Sequence, residues 1–175
     1  MEQREAEYLA DLTWEEARAA AAAGSVAIVP TGSLEQHGPH LPLRVDTALV
    51  AAVAEAAARL LPAGVRALLT PPLWLGASHH HLPFFAVSVE ERTYVDLAAQ
   101  VGASLAGAGF RRIFFLNGHG GNAAPLRLAL SEISRRHRTR SPPRRNTGPW
   151  APRASVRRAA AAPAAPHTRA RWRPR

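Results

Sequence analysis

The segment SVAIVP, residues 25–30, is a short apolar run rich in β-branched residues and closed by a proline. Such a run is typical of a strand that is buried on both faces of a sheet. Two similar runs follow along the chain, over residues 66–70 and 111–116, and each is bounded by turn residues. The sequence therefore predicts three buried strands, the third with Ile113-Phe114-Phe115-Leu116 as its apolar centre.

Alanine-rich, helix-forming segments lie between and after these strands. We predict helices over residues 13–23, 46–61, 88–106 and from the turn at 119–122 to about Arg136. Thr13-Trp14-Glu15-Glu16 and Ser88-Val89-Glu90-Glu91 both show the capping-box pattern that starts a helix. Strands that alternate with helices in this way indicate an α/β domain with a mainly parallel sheet that helices cover on both sides.

Composition excludes several classes of protein. Of 175 residues 47% are hydrophobic and 20% charged, as in a globular domain, and there is no cysteine. Disulfide scaffolds, thiolate zinc sites and cysteine nucleophiles are therefore excluded. The N-terminus has no apolar signal region, and no apolar run approaches the roughly 18 residues that span a bilayer. We expect a cytoplasmic protein without a membrane segment.

The net charge of +9 belongs to the end of the chain. The first 136 residues contain all thirteen acidic residues and eleven of the twenty-two arginines, so their charge is 11 − 13 = −2 and residues 137–175 carry +11. This tail has seven prolines and no acidic residue, and we predict that it is disordered. Two interpretations stay open: an out-of-frame sequence, or a basic arm that grips phosphates and stacks Trp150 and Trp172 on bases. Because no nucleic-acid fold is recognisable, nucleic acid is not the expected partner.

The residues capable of chemistry follow two of the predicted strands. Glu35 and His37 lie in the loop after the first strand, Asp46 lies shortly beyond it, and His119 lies in a glycine-rich turn after the third. Parallel sheets gather ligands at the carboxyl ends of their strands. Taken singly, these residues are typical of a surface pair, a turn and a helix N-cap. Together they form a nitrogen and oxygen set that suits Zn, Mn or Fe, with an aspartate able to bridge two ions roughly 3.5–4 Å apart.

The stretches PTGSLEQHGPHLP (30–42), continuing to Asp46, and NGHGGN (117–122) resemble the creatininase (creatinine amidohydrolase) family. The resemblance covers about residues 12–136. It implies a three-layer α/β/α fold with a mainly parallel sheet, a centre of two divalent metal ions, and hydrolysis of a non-peptide or peptide-like amide C–N bond. It also implies a homo-oligomer, usually a hexamer.

The resemblance extends to individual positions. Glu35, His37, Asp46 and His119 match metal ligands of the family, with Asp46 in the bridging place. Ser78 and His80 match the region that lines the substrate pocket. The implied nucleophile is a metal-activated water, and no protein side chain is assigned as catalytic.

The sequence also departs from the family pattern. Creatininase itself has a metal-binding glutamate where this chain has Gly121, so the chain is closer to the relatives that carry NGHGGN, the mycofactocin peptidase and the formamide hydrolase. Those relatives take a carboxylate from a later segment that we do not find after Arg136. Residues 83–88, PFFAVS, replace a Phe-Pro-Gly-Thr-like turn.

These departures set the alternatives. We expect a family domain over 1–136 that lacks its C-terminal part, followed by the basic tail 137–175. Its function is then amide hydrolysis, or metal binding or assembly without turnover, or nucleic-acid binding through the tail.

Overall fold

The computed structural model describes residues 5–140, with side-chain detail to residue 135. Its four helices and six strands follow one another as an α/β chain, with short 3-10 turns at Leu9–Asp11, His79–His81 and Gly120–Asn122. In chain order the elements are β1 (Glu7–Tyr8), α1 (Trp14–Ala22), β2 (Val26–Thr31), β3 (Leu34–Glu35), α2 (Val45–Arg59), β4 (Ala67–Leu69), β5 (Ala86–Val87), α3 (Glu91–Gly107), β6 (Arg112–Asn117) and α4 (Ala123–Arg140).

The main sheet has four parallel strands in the order β1-β4-β2-β6. The three predicted strands are β2, β4 and β6, and their parallel pairing is confirmed. β2 lies at the centre, where it pairs with β4 on one side and with β6 on the other from Val26↔Arg112 to Thr31↔Asn117. β3 and β5 form a separate antiparallel pair that the sequence did not predict, because two-residue strands show no periodicity.

Helices cover both faces of this sheet, which gives the three-layer α/β/α arrangement. Alternate residues of β2 point to opposite faces. Val29 packs with residues of α3 and α4, whereas Ile28 packs with Ala54 and Ala58 of α2. Ala27 meets Ala20 and Ala21 of α1 on the same face as Val29. Three helices therefore cover one face, and α2 covers the other.

β6 is not the fully buried strand that the sequence predicts. Phe115 is buried against α3 and α4, but Phe114 is 39% exposed. Phe114 pairs in register with Ile28 and so lies on the face that α2 alone covers. Within the described residues β6 is an edge strand, and one helix is too narrow to cover both β2 and this edge.

The two predicted capping boxes have different outcomes. At α1 the prediction is confirmed, because the Thr13 hydroxyl accepts from the Glu16 amide while the Glu16 carboxylate accepts from the Thr13 amide. At α3 the prediction is wrong. That helix begins at Glu91 after an N-cap, Glu90, whose side chain makes no capping bond. The Ser88 hydroxyl instead accepts from the Ser78 amide, and it helps to position the loop that contains Ser78.

The end of the described chain differs slightly from expectation. The last helix was predicted to stop near Arg136, but α4 continues to Arg140, so the first residues assigned to the tail are helical. Residues 141–175 lie outside the described part of the structure, and the predictions about them stay predictions. Within residues 5–140 no helix is long and apolar enough to cross a membrane.

Candidate metal centre

Glu35, His37, Asp46 and His119 come together at the carboxyl edge of the main sheet. Because β2 and β6 are adjacent and in register to their last residues, the loops that follow them leave the sheet side by side. The first loop carries Glu35 and His37, and the second carries His119. Asp46 joins them from the first turn of α2. The juxtaposition expected from the sequence is therefore present.

A close approach of backbones makes this arrangement fit. A Cβ at Gly118 would lie 2.6 Å from the Cβ of Val50 and 3.1 Å from the Asp46 carbonyl oxygen. Contacts this short do not accommodate a side chain, so glycine at this position allows the His119 loop to lie directly against α2. Asp46 and His119 are thereby held at hydrogen-bonding distance.

Asp46 lies at the centre of the cluster, with one carboxylate oxygen toward each imidazole. Its Oδ1 is 3.0 Å from Nε2 of His37, and its Oδ2 is 2.8 Å from Nδ1 of His119. The hydroxyl of Ser33 also donates to Oδ2, at 2.8 Å. This is the geometry that a carboxylate needs to bridge two sites, each with its own histidine.

The second nitrogen of each histidine faces a backbone carbonyl. Nδ1 of His37 lies 3.1 Å from the Glu35 carbonyl oxygen, and Nε2 of His119 lies 3.2 Å from that of Ala77. A carbonyl only accepts, so these nitrogens carry the hydrogen. The nitrogens that face Asp46 are then left to bind a metal ion or, without one, a second proton. Metal-ligating histidines are oriented in this way by their outer partners.

Glu35 is a buried carboxylate that is only partly satisfied. It is 4% exposed; its Oε1 lies 3.3 Å from Nδ1 of His119 and 3.4 Å from Nε2 of His81. Its Oε2 is buried and has no hydrogen-bond partner among the described residues. A buried carboxylate oxygen without a partner is costly, and a cation would remove that cost.

The electrostatics of the cluster couple Asp46 and His119. Burial lowers the pKa of His119, but the hydrogen bond with Asp46, the Ala77 carbonyl and the nearby Glu35 carboxylate outweigh it, and the pKa lies above its ordinary value. Burial likewise raises the pKa of Asp46, but hydrogen bonds from His119 and Ser33 outweigh it, and the pKa lies below its ordinary value. A metal ion would have to displace the imidazolium proton, so its affinity would depend on pH.

The residues therefore fit the metal that the resemblance implies. Two groups of three residues, each with ligand atoms within 4.8 Å of one another, occur in the described part of the chain. One group is Glu35, His80 and His119, and the other is Glu35, His37 and Asp46. Carboxylate and imidazole donors suit zinc, manganese or ferrous iron. A bound cation would also satisfy the buried oxygen of Glu35.

Ser78 and His80, the predicted substrate-binding residues, lie on the His119 side of the cluster. Ser78 is fully buried, and its hydroxyl is 3.2 Å from Nε2 of His119. His80 is exposed, and its ring is parallel to that of His119, with centroids 5.9 Å apart. No substrate contact is described for either, so their role stays a prediction.

Two supporting residues were missed in the sequence. The Gln36 amide group lies 2.6 Å from Nδ1 of His81, which directs Nε2 of that histidine toward Glu35. Asn122 is fully buried; it donates to the Gly32 carbonyl and accepts from the Ala77 amide, both at 2.9 Å, and so joins two loops. Their position within the two motifs, 30–42 and 117–122, could have identified them. They were missed because glutamine and asparagine were not among the candidate metal ligands.

Fold and site together define an α/β protein with a cluster of carboxylates and imidazoles at the carboxyl edge of a parallel sheet. The chain belongs to the creatininase family: the family model described as creatinine amidohydrolase matches residues 10–172. This range extends beyond Arg136 into the basic segment 137–175.

Individual relatives agree with this membership. The mycofactocin precursor peptide peptidase of Mycolicibacterium smegmatis is 43% identical over 107 residues, which are 59% of this chain and 43% of that protein. The creatinine amidohydrolase of Pseudomonas putida is 33% identical over 138 residues, covering 72% of this chain and 51% of that protein. The higher identity to the former agrees with the expectation drawn from NGHGGN.

Solved structures give the same result. One described as creatininase with Mn has a TM-score of 0.70 and 29% identity, covering 77% of this chain and 54% of that chain. A mutant creatininase of the Zn-Zn type has a TM-score of 0.67 and 28% identity, covering 78% and 54%. The chain thus spans about half the length of the relatives that it matches.

Proposed function

We propose that this protein is a metal-dependent amidohydrolase that hydrolyses a C–N amide bond with a water activated by two divalent metal ions. The observation that carries the proposal is the orientation of the two imidazoles around Asp46. Each directs one nitrogen at a different oxygen of the same carboxylate and gives its other nitrogen to a backbone carbonyl. A surface ion pair would not need both histidines oriented in this way.

In this proposal Asp46 bridges two metal positions. The His119 position is formed by Glu35, Asp46 and His119, and the His37 position by His37, Asp46 and Glu35. Bound ions of this kind lower the pKa of water and polarise a carbonyl. The proposal takes manganese and zinc as the first ions to test, because solved creatininases are described with them.

The protein's own groups orient these ligands. The Ala77 and Glu35 carbonyls fix which imidazole nitrogen is free, and the Ser33 hydroxyl fixes the rotation of the Asp46 carboxylate. Two carboxylates and two neutral imidazoles leave two divalent ions with a net positive charge. Such a centre would supply positive charge for the oxygen of an amide carbonyl.

The proposed substrate is a small-molecule or peptide amide. The matched relatives are named for creatinine and for a peptide precursor, and we extend to this chain only the bond type that these share. Ser78 keeps the substrate-binding role expected from the sequence. A homo-oligomer, a hexamer by resemblance, is part of the same proposal.

The test uses the full chain, stripped with a chelator and reloaded with Mn²⁺ or Zn²⁺. Elemental analysis gives metal per chain, light scattering gives molar mass, and a panel of creatinine, formamides and short peptides gives turnover. We expect about two ions per chain, and turnover that the chelator abolishes. Asp46→Asn is the negative control.

Other results would separate the alternatives. Two bound ions with no turnover on any amide would favour a member that binds metal without catalysis. A folded protein that retains no divalent metal would refute the metal-dependent mechanism. Steeply salt-dependent DNA binding that is lost on deleting residues 141–175 would favour the basic arm.

A further inference from the structure

The three consecutive histidines at 79–81 have different surroundings. His79 faces outward, with Nε2 3.0 Å from a carboxylate oxygen of Glu90. His81 turns toward Glu35. His80 lies between them, stacks on His119, and has no hydrogen bond to either ring nitrogen among the described residues. Among the described residues, the ring nitrogens of His79 and His81 have hydrogen-bond or ion-pair partners, and those of His80 have none.

The position of His80 places it among the ligands of the His119 position. Glu35, His80 and His119 each offer a ligand atom within 4.8 Å of the other two. Asp46 belongs to the other group of three, but its Oδ2 lies 2.8 Å from Nδ1 of the same His119. An ion held by Glu35, His80 and His119 together with Asp46 would have four donors, two carboxylates and two imidazoles, and four is the usual ligand number for protein zinc.

The loop that carries His119 cannot itself supply a further ligand at position 121. A Cβ built on Gly121 would fall inside van der Waals contact of the Ala77 carbonyl oxygen, 2.5 Å from Nε2 of His119 and 3.2 Å from Cε1 of His80. The backbone of residues 120–122 therefore packs against the back of the His119 ring. The imidazole of His80 comes from the facing loop and lies beside this glycine.

We propose that His80 is a fourth protein ligand of the ion in the His119 position, rather than a substrate-binding residue. The proposal rests on the proposed function, since it assumes that Glu35, Asp46 and His119 hold an ion. It makes the two positions unequal. The His119 position has four protein ligands, whereas the His37 position has His37 and the two shared carboxylates. The former should fill first and bind more tightly.

The test is a Zn²⁺ titration of the metal-free full chain in competition with a chromophoric chelator, which resolves tight and weak binding steps. For the native chain we expect two steps of different affinity. In His80→Ala the affinity of the tight step should fall by at least about tenfold, because loss of even an outer-shell partner of a metal ligand costs about that much. The affinity of the weak step should be unchanged. Circular dichroism of the metal-free variant shows whether it is folded.

Two further variants sharpen this result. His79→Ala removes the adjacent exposed imidazole, which has partners of its own, and should leave both steps unchanged. His80→Asp returns an oxygen ligand at the same position and should recover part of the lost affinity. The absorption spectrum of the Co²⁺-loaded protein should change in His80→Ala and stay native in His79→Ala, because it reports the donor atoms directly.

The negative outcomes are distinguishable. Native affinity in His80→Ala, with a raised KM for any amide substrate, would overturn the ligand role and return His80 to substrate binding. Equal weakening in His79→Ala and His80→Ala would also overturn it, because the effect would then belong to the turn and not to the ligand. No metal binding by the native chain would refute the proposed function along with this inference.

Discussion

Replacing Asp46 by asparagine tests the bridging geometry most directly. The substitution keeps the shape of the side chain and removes its negative charge. Because one carboxylate oxygen faces His37 and the other faces His119, we expect loss of both metal positions. Loss of His37 or His119 would affect mainly the position that it serves.

The size of the effect follows from linkage between binding and folding. An ion present at about 100 times its dissociation constant stabilises the folded state by about 2.7 kcal/mol, so two independent ions contribute about 5 kcal/mol. For a domain of this length, 1 kcal/mol corresponds to roughly 2–4 °C in Tm. Saturating metal should therefore raise the Tm of the native chain by about 10–20 °C, and that of Asp46→Asn by no more than a few degrees.

Differential scanning calorimetry with and without Zn²⁺ measures this shift. Each variant is compared with its own metal-free Tm, so any change in the metal-free stability of Asp46→Asn cancels. Asp96→Asn is the matched control, because Asp96 is a partly exposed aspartate of α3 whose partner among the described residues is Arg92, in a surface ion pair worth little. If Asp46→Asn keeps more than half of the native shift, the bridging role is wrong. Equal loss in Asp96→Asn would show that the shift is not specific to the cluster.

Three other predictions follow from the same contacts. Without metal, the raised pKa of His119 stabilises the folded state fully below about pH 6.5, and this stability is lost as the pH rises through the pKa of the folded protein. The lowered pKa of Asp46 stabilises the folded state fully above about pH 4, and this stability is lost as the pH falls through the pKa of the folded protein. Urea unfolding in a chelator should therefore show higher stability at pH 5.5 than at pH 8.5, and Asp46→Asn should flatten this difference. Gly121→Ala should cost about 1–3 kcal/mol by overpacking and should weaken metal binding, whereas Gly120→Ala, whose Cβ would meet nothing within 4 Å, should leave metal binding unchanged. Thr13→Ala should lower the free energy of unfolding in urea by about 1 kcal/mol through loss of the helix cap, whereas Thr13→Ser should keep native stability. Native stability in Thr13→Ala would contradict the capping bond.

The parallel sheet could be predicted because its strands are continuous apolar runs. The run at 25–30 forms most of β2, which is buried on both faces. A strand buried on both faces needs apolar residues at successive positions, so its sequence alone identifies it. The burial of β6 could not be predicted in the same way. Phe114 and Phe115 look alike in sequence, yet only Phe115 is buried, because three helices cover its face and one covers the other.

Helix starts show the same division between local and tertiary causes. The Thr13 cap involves groups three residues apart, so a local pattern describes it completely. Ser88 carries the same pattern but donates and accepts in the loop that holds Ser78. A tertiary partner competes for that hydroxyl, and no local pattern shows it.

By itself the sequence determined the family, the parallel α/β fold and four candidate ligands, since these depend on residue type, on short spacings and on the rule that strand ends share an edge. Only the tertiary structure decided how these groups are arranged. It showed that Asp46 divides its two oxygens between two histidines, that Glu35 keeps a buried oxygen without a partner, and that His80 and not His79 turns toward His119. The physical reason is that residues 35, 46, 80 and 119 lie on separate segments of the chain. Their relative orientation depends on how closely the backbones pack at glycines 118 and 121, a contact that no spacing along the chain encodes.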